Sequence, residues 1–154
     1  DSGEQDTLMA RRRLRQMGCP HERKALSFGD YSACCDALDL SDSVAIERKL
    51  GLDELANCYC KDRPRFTREF ERAKQAGAKL YLLVENGTWE NAYAGKYRSR
   101  MAPSALTASL LTWLARYDCQ LLFCAPTTSG ALIRDILYRE LKERLERMPD
   151  GRCE

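Results

Sequence analysis

No apolar run in this 154-residue chain approaches the length that a membrane helix requires. No signal peptide is visible either, which favours a cytoplasmic protein whose cysteines stay reduced. The chain has eight cysteines, but Cys34-Cys35 and Cys58-Tyr59-Cys60 lack the gaps of two to four residues that are typical of zinc sites. The composition therefore predicts a protein that binds no membrane and needs neither disulfides nor structural zinc.

Histidine is almost absent, since His21 is the only one in the sequence. A Ser-His or Cys-His hydrolase would depend on this residue, and no nucleophile motif accompanies it. The chain also lacks a charge excess, because 25 basic and 23 acidic residues leave a net charge of +2. Any surface for nucleic acid must therefore come from local clusters of basic residues rather than from bulk charge.

Short apolar segments alternate along the chain with amphipathic ones. The strand-like segments are residues 21–28, Val44–Lys49, Lys79–Glu85 and 119–124, and the last two are apolar enough to be buried on both faces. The helix-like segments are residues 7–17, Leu52–Cys60, 64–77, Pro103–Tyr117 and 129–148. This alternation predicts one α/β domain over residues 1–154, with helices on both faces of a central mixed sheet.

The charged end of the Val44–Lys49 segment is the first indication of chemistry. Side chains alternate along a strand, so Glu47 and Lys49 point to the same face. This pair suits phosphodiester hydrolysis, because a carboxylate helps to hold Mg²⁺ while an ammonium group orients water or stabilises charge on phosphorus. A hard cation needs further acids, for which Asp30 is the best candidate and Asp53 the next. The alternative is a solvated strand end, since Glu-x-Lys is common.

The motifs around these residues resemble a known family. Gly29-Asp30-Tyr31, followed by Glu47-Arg48-Lys49 and then Asp53, is similar to the nuclease domain of the XPF family of structure-specific endonucleases, whose signature is GD, a spacer and ERK-x-x-x-D. The resemblance extends through residues 65–74 and the strand that ends at Glu85, and it covers nearly the whole chain. The chain looks like one of the short stand-alone members encoded by bacterial phages and prophages, which implies the cytoplasm of a bacterial host.

What the resemblance implies is a restriction-endonuclease-like fold and DNA cleavage that depends on Mg²⁺ or Mn²⁺, without an organic cofactor. The expected substrates are branched DNA or single-strand/duplex junctions, in recombination, replication or repair. The acidic metal set of the family falls on Asp30, Glu47 and Asp53. Lys49 matches the catalytic base or stabiliser, and Arg48 lies in the same catalytic motif.

Two implications of the resemblance concern the ends of the chain. Asp1 resembles the acid at the end of the family's first strand, usually D-x-R-E, and would be a further metal ligand, although Gly3 stands where arginine is expected. Family members typically pair as homodimers through this domain, and the apolar stripe over residues 133–148 offers a surface for that contact. Packing of the same stripe within one chain is the open alternative.

Basic residues cluster at two places near these motifs and suit contacts with DNA phosphates. The predicted DNA-binding residues are Arg63, Arg65, Arg68, Lys96, Arg98 and Arg100. Solvated charged faces are the common alternative for such clusters. The second functional hypothesis is a catalytically inactive DNA-binding or partner-binding module of the same fold, because the family includes degenerate members that have lost the acids. The intact Asp30, Glu47, Lys49 and Asp53 of this chain argue against it.

Overall fold

The computed structural model describes residues 8–149. Within that range the helices are α1 (Leu8–Met17), α2 (Leu52–Cys60), α3 (Arg63–Gln75), α4 (Trp89–Ala94), α5 (Pro103–Tyr117) and α6 (Pro126–Glu146). The strands are β1 (Cys34–Cys35), β2 (Leu38–Asp39), β3 (Val44–Lys49), β4 (Lys79–Glu85) and β5 (Gln120–Cys124). None of these helices combines the length and apolarity needed to cross a bilayer.

Strands β3, β4 and β5 pair in parallel in that order, while β1 and β2 form a short antiparallel pair. Parallel neighbours need crossover connections, which α2 and α3 provide between β3 and β4, and α4 and α5 between β4 and β5. An antiparallel bridge from Tyr31 to Ile46 extends the pairing at the other edge of β3. The register sets Glu47 opposite Leu82 and Lys49 opposite Val84, so both charged residues lie near the carboxyl end of the sheet.

Two apolar cores cover the two faces of this sheet, so the prediction of an α/β fold with helices on both faces is confirmed. The first core joins residues of α2, α3 and α5 to one sheet face and includes Leu55, Phe70, Leu82 and Trp113. The second joins residues of α1 and α6 to the other face and includes Met17, Ile46, Leu83 and Ile133. Each face of β4 is therefore covered, which explains its near-continuous run of apolar residues.

Helix α6 begins earlier than the sequence predicted, at Pro126 instead of residue 129, because proline at the first helical position has the backbone angle of a helix and needs no amide partner. Its apolar stripe turns inward: Ile133 and Leu137 are buried, and Leu141 packs against the same core. Packing within one chain therefore occupies much of this stripe. Pairing of two copies through α6 stays a prediction.

The prediction of a strand at residues 21–28 is wrong, since the structure has no strand there. Residues 21–25 are exposed and include four consecutive polar or charged side chains, so this stretch has no apolar face to bury in a sheet. Only Phe28 at its end enters the first core. The chain then turns at Gly29, whose φ of +76° favours glycine and whose backbone leaves no room for a side chain, since a Cβ there would lie 2.6 Å from the Cβ of Ala45.

Candidate active site

The Gly29 turn places Asp30 directly against β3. The backbone amide of Asp30 donates to the carbonyl of Ile46 at 2.7 Å. The Oδ2 atom of Asp30 accepts a hydrogen bond from the backbone amide of Arg48 at 2.8 Å. Asp30 is buried, with 4% of its surface exposed. The strand therefore fixes both the main chain and the carboxylate of Asp30 beside its own charged end.

Glu47 and Lys49 share one face of β3, as alternation along the strand predicts. Lys49 Nζ lies 3.8 Å from Oε1 of Glu47 and 3.9 Å from Oε1 of Glu54 on α2. The same ammonium group lies over the ring of Phe66 on α3, 5.1 Å from its centroid. Glu47 is 4% exposed. The pair is thus enclosed by the two helices that follow the strand.

Glu69 on α3 contributes a third carboxyl group to the cluster, which we define as Asp30, Glu47, Lys49 and Glu69. The Oε1 atom of Glu69 accepts a hydrogen bond from the amide of Gly29 at 2.7 Å, and its carboxyl group lies close enough to that of Glu47 to share a proton with it. The sequence motifs alone assign Glu69 no role. A signal was present, since Phe66, Glu69 and Ala73 follow helical spacing and Phe66 and Ala73 are buried. Glu69 therefore lies on the inward-facing side of α3.

The charges of the cluster act on one another. Burial, together with the neighbouring Asp30 and Glu69 carboxyl groups, raises the pKa of Glu47 well above its ordinary value of 4.5. Burial alone would lower the pKa of Lys49, but Glu47, Cys58 and Glu54 outweigh it and raise this pKa above its ordinary value of 10.5. Lys49 is therefore an ammonium group at neutral pH, which suits charge stabilisation better than proton abstraction.

Asp53, at the start of α2, makes a different contact. Its Oδ1 atom accepts hydrogen bonds from the backbone amides of Arg98 and Ser99, both at 2.8 Å. These amides belong to the basic loop, which we define as residues 96–100. The structure thus joins Asp53 to this loop, while it brings Asp30, Glu47 and Lys49 together with Glu69.

The metal-binding residues predicted from the sequence are therefore only partly brought together. Across residues 8–149, no group of three or more His, Cys, Asp or Glu side chains has an arrangement that could hold a metal ion. Asp1, the remaining predicted ligand, lies outside the described residues. Arg48 contributes its backbone amide to the position of Asp30, while alternation along β3 directs its side chain to the opposite face of the sheet.

The predicted DNA-binding residues differ in how their side chains are held. Arg63 donates to the carbonyl of Tyr59 at 3.1 Å and to Oγ of Ser109 at 2.9 Å, and it lies over the rings of Tyr59 and Trp113. A phosphate would have to displace these contacts. Arg63 is exposed, as are the other five: Arg65, Arg68, Lys96, Arg98 and Arg100. The last three line open depressions that also border Asp53 and Asn57.

Fold and site together define an α/β domain with buried carboxylates and a lysine at the carboxyl end of a parallel sheet. The family model for the ERCC4 domain matches residues 1–148, and the chain therefore belongs to the ERCC4 domain family. This membership supports a nuclease of the XPF type.

Comparison of structures agrees with this assignment at the level of fold. The chain is similar to the solved structure of XPF from Aeropyrum pernix, with a TM-score of 0.60 and 21% sequence identity, over 90% of this chain and 66% of that chain. The chain thus spans slightly less than two thirds of that protein's length. No curated protein matches the sequence. A phage or prophage origin and a cytoplasmic location stay predictions.

Proposed function

We propose that the chain is an endodeoxyribonuclease that hydrolyses phosphodiester bonds with the help of Mg²⁺ or Mn²⁺. The observation that carries this proposal is the charged Lys49, 3.8 Å from the buried carboxyl group of Glu47, on which the buried carboxyl group of Asp30 also acts. Buried carboxylates that lie close together repel one another, and a bound cation relieves that repulsion. Membership of the ERCC4 domain family supports the nuclease class.

The donor set fits a hard divalent cation. Mg²⁺ prefers oxygen ligands and is often held by one or two protein carboxylates, with water and substrate phosphate completing its shell. Asp30 and Glu47 would hold the ion. Asp53, whose hydrogen bonds within residues 8–149 use Oδ1 alone, and Asp1 are the further proposed ligands. When bound, such a cation neutralises phosphate charge and lowers the pKa of a water molecule.

The chain's own residues would supply position and charge. Lys49 would place an ammonium group where negative charge develops on the phosphate in the transition state. Arg48, through its amide, would keep the carboxylate of Asp30 in a fixed orientation beside Glu47. Fixed charges in a water-poor site are worth more than the same charges in bulk water, because they need no reorganisation during the reaction.

DNA would lie across the exposed basic residues on either side of the cluster. Arg65 and Arg68 project from α3, and the basic loop lies beside Asp53 at the start of α2. Contacts of this kind to the phosphate backbone are independent of sequence and release counterions. Loss of one such contact should reduce the slope of log affinity against log salt by about 0.9. Charge-neutral variants of the basic loop, compared with wild type at several salt concentrations, measure this directly.

Glu47→Gln tests the proposed chemistry, because it keeps the size of the side chain and removes the carboxylate. We expect cleavage to fall by at least about 100-fold while far-UV circular dichroism stays unchanged. Glu71→Gln is the matched control, since Glu71 is on α3 but accepts a hydrogen bond from Tyr117 away from the cluster. Duplex, flap, fork and single-stranded DNA should all be assayed. Wild-type cleavage in EDTA, or Glu47→Gln cleaving at the wild-type rate, would refute the proposal.

A catalytically inactive DNA-binding or partner-binding module of the same fold is the second candidate. It is favoured by the finding that, among residues 8–149, no group of three or more His, Cys, Asp or Glu side chains is arranged so that it could hold a metal ion. Such a module should bind branched or single-stranded DNA equally well in Mg²⁺ and in EDTA and leave it uncut. Fluorescence anisotropy alongside gel assays of the same samples separates the two candidates.

A further inference from the structure

Helix α3 holds the turn that carries Asp30. Glu69 accepts the amide of Gly29 at 2.7 Å, and Arg72, three residues further along the helix, donates through Nε to the carbonyl of Ser27 at 3.1 Å. Between these two contacts the side chain of Phe28 is buried in the core that α3 helps to form. The segment before Asp30 is therefore attached to the helix at three successive residues.

The same turn is confined on its other side by β3. Gly29 approaches Ala45 so closely that a Cβ would not fit, and the amide of Asp30 donates to the carbonyl of Ile46 at 2.7 Å. The amide of Gly29 points away from this strand and towards α3, where Glu69 is its acceptor. Without that acceptor, Asp30 would keep its hydrogen bonds to β3, but the residue before it would lose the hydrogen bond that holds it to α3.

A negative charge on Glu69 does not explain its position beside Glu47, because neighbouring carboxylates repel one another. Its geometry does explain it, since the side chain has the length needed to reach Gly29 from α3. We propose that Glu69 is a positioning residue, which helps β3 to fix Asp30 beside Glu47 by accepting the Gly29 amide and not by its charge. The catalytic part of this proposal rests on the proposed nuclease function; the structural part does not.

Two substitutions separate geometry from charge. Glu69→Gln keeps the length of the side chain and a carbonyl acceptor but removes the charge. Glu69→Asp keeps the charge but shortens the side chain by one methylene, which withdraws the acceptor from Gly29. The matched controls are Glu71→Gln and Glu71→Asp, on the same helix but with a hydrogen bond to Tyr117. Circular dichroism should show that all four variants fold.

The first readout needs no activity. In metal-free protein, we expect amide hydrogen exchange at Gly29 to be about tenfold faster in Glu69→Asp than in wild type, and close to wild type in Glu69→Gln. The second readout is DNA cleavage at saturating Mg²⁺. Loss of a group that orients a metal-site residue typically costs about 10–100-fold, so Glu69→Asp should lose that much, and Glu69→Gln should retain activity within about threefold.

The opposite pattern, with Glu69→Gln impaired and Glu69→Asp active, would overturn the proposal and make the carboxylate charge the important property. Unchanged Gly29 exchange in Glu69→Asp would overturn it as well. If wild-type protein cuts no DNA, the nuclease function fails, while the exchange measurement still decides whether Glu69 holds the turn.

Discussion

Replacing Arg13 with methionine should destabilise the folded protein by about 3–5 kcal/mol. Arg13 lies on the sheet face opposite Glu47, outside the proposed active site. Its guanidinium forms an ion pair with Glu85, with Nη2 at 3.0 Å from Oε2 and 3.2 Å from Oε1. The two side chains are 2% and 0% exposed. Arg13 also donates to the hydroxyl groups of Tyr31 and Ser129. Its removal leaves a buried carboxylate without its cation, which is the costly case for an ion pair.

This cost is large against the total. A typical domain is stable by about 5–15 kcal/mol, so the substitution removes about 30–50% of a stability in the middle of that range. For a chain of this size, about 2–4 °C of Tm accompanies each kcal/mol, which gives a decrease of about 6–20 °C. The substitution also affects the surroundings of the active site, because it removes the hydrogen bond from the Arg13 guanidinium to the hydroxyl group of Tyr31, the residue after Asp30.

Urea denaturation followed by circular dichroism measures the effect, and a double-mutant cycle identifies its cause. Arg13→Met with Glu85→Leu removes both charges, so the double variant should be more stable than the sum of the single effects by at least about 2 kcal/mol. Arg147→Met is the exposed control, since Arg147 and Glu143 form a pair that is 79% and 62% exposed; this variant should change stability by less than about 0.5 kcal/mol.

Additive single effects in that cycle would refute this reasoning. So would a cost below about 1 kcal/mol for Arg13→Met, because the pair would then behave as a surface ion pair.

Four other predictions address the site and its surroundings. Lys49→Met should slow single-turnover cleavage about 100–1,000-fold with little change in DNA affinity, because its charge acts in the transition state. Asp53→Ala should speed amide exchange at Arg98 and Ser99 and weaken DNA binding in EDTA by about 5–30-fold, since the basic loop loses two hydrogen bonds. In metal-free protein, the pKa of Glu47 in the folded state lies above its ordinary value of 4.5. The free energy of unfolding should therefore fall as pH rises from about 4.5 through the raised pKa, and urea titrations of the Glu47→Gln variant should not show that fall. Burial opposes the charge of Glu140, but Lys79, Tyr81 and Arg144 lower its pKa to about 2. Glu140→Gln should therefore lower the free energy of unfolding by about 1–2 kcal/mol at pH 7, and by progressively less as pH falls from about 4.5 towards 2.

The parts of the fold that the sequence predicted are those decided by local patterns. The segments Val44–Lys49 and Lys79–Glu85 were predicted with their observed bounds. The first has a β-branched start and a charged end, which suit a strand leaving the core, and the second is a short apolar run between turns, which suits a strand buried on both faces. Leu52–Cys60 was also predicted with its observed bounds. Alternation along β3 alone placed Glu47 and Lys49 on one face. None of these inferences required knowledge of a distant contact.

The parts that were missed or wrong depend on tertiary contacts. The segment 21–28 was predicted as a strand that leads to the Gly29 turn, but no strand among residues 8–149 pairs with it, and α3 holds its end instead. Glu69 could not be assigned from the sequence because its acceptor function depends on a backbone amide 40 residues earlier. Helical spacing shows which way Glu69 faces, but it gives no information about what lies there.

Asp53 shows how one motif can act on two parts of a site. The spacing ERK-x-x-x-D places Asp53 in the first turn of α2, close in sequence to Lys49 on β3. The strand end carries the charged pair, while the helix start holds the basic loop through the amides of Arg98 and Ser99. Because a short connection joins the two, the distance between the proposed reaction centre and the proposed phosphate-binding loop is set by rigid elements. A substitution at Asp53 should therefore change where DNA lies relative to Lys49, even where the carboxylates of Asp30 and Glu47 stay in place.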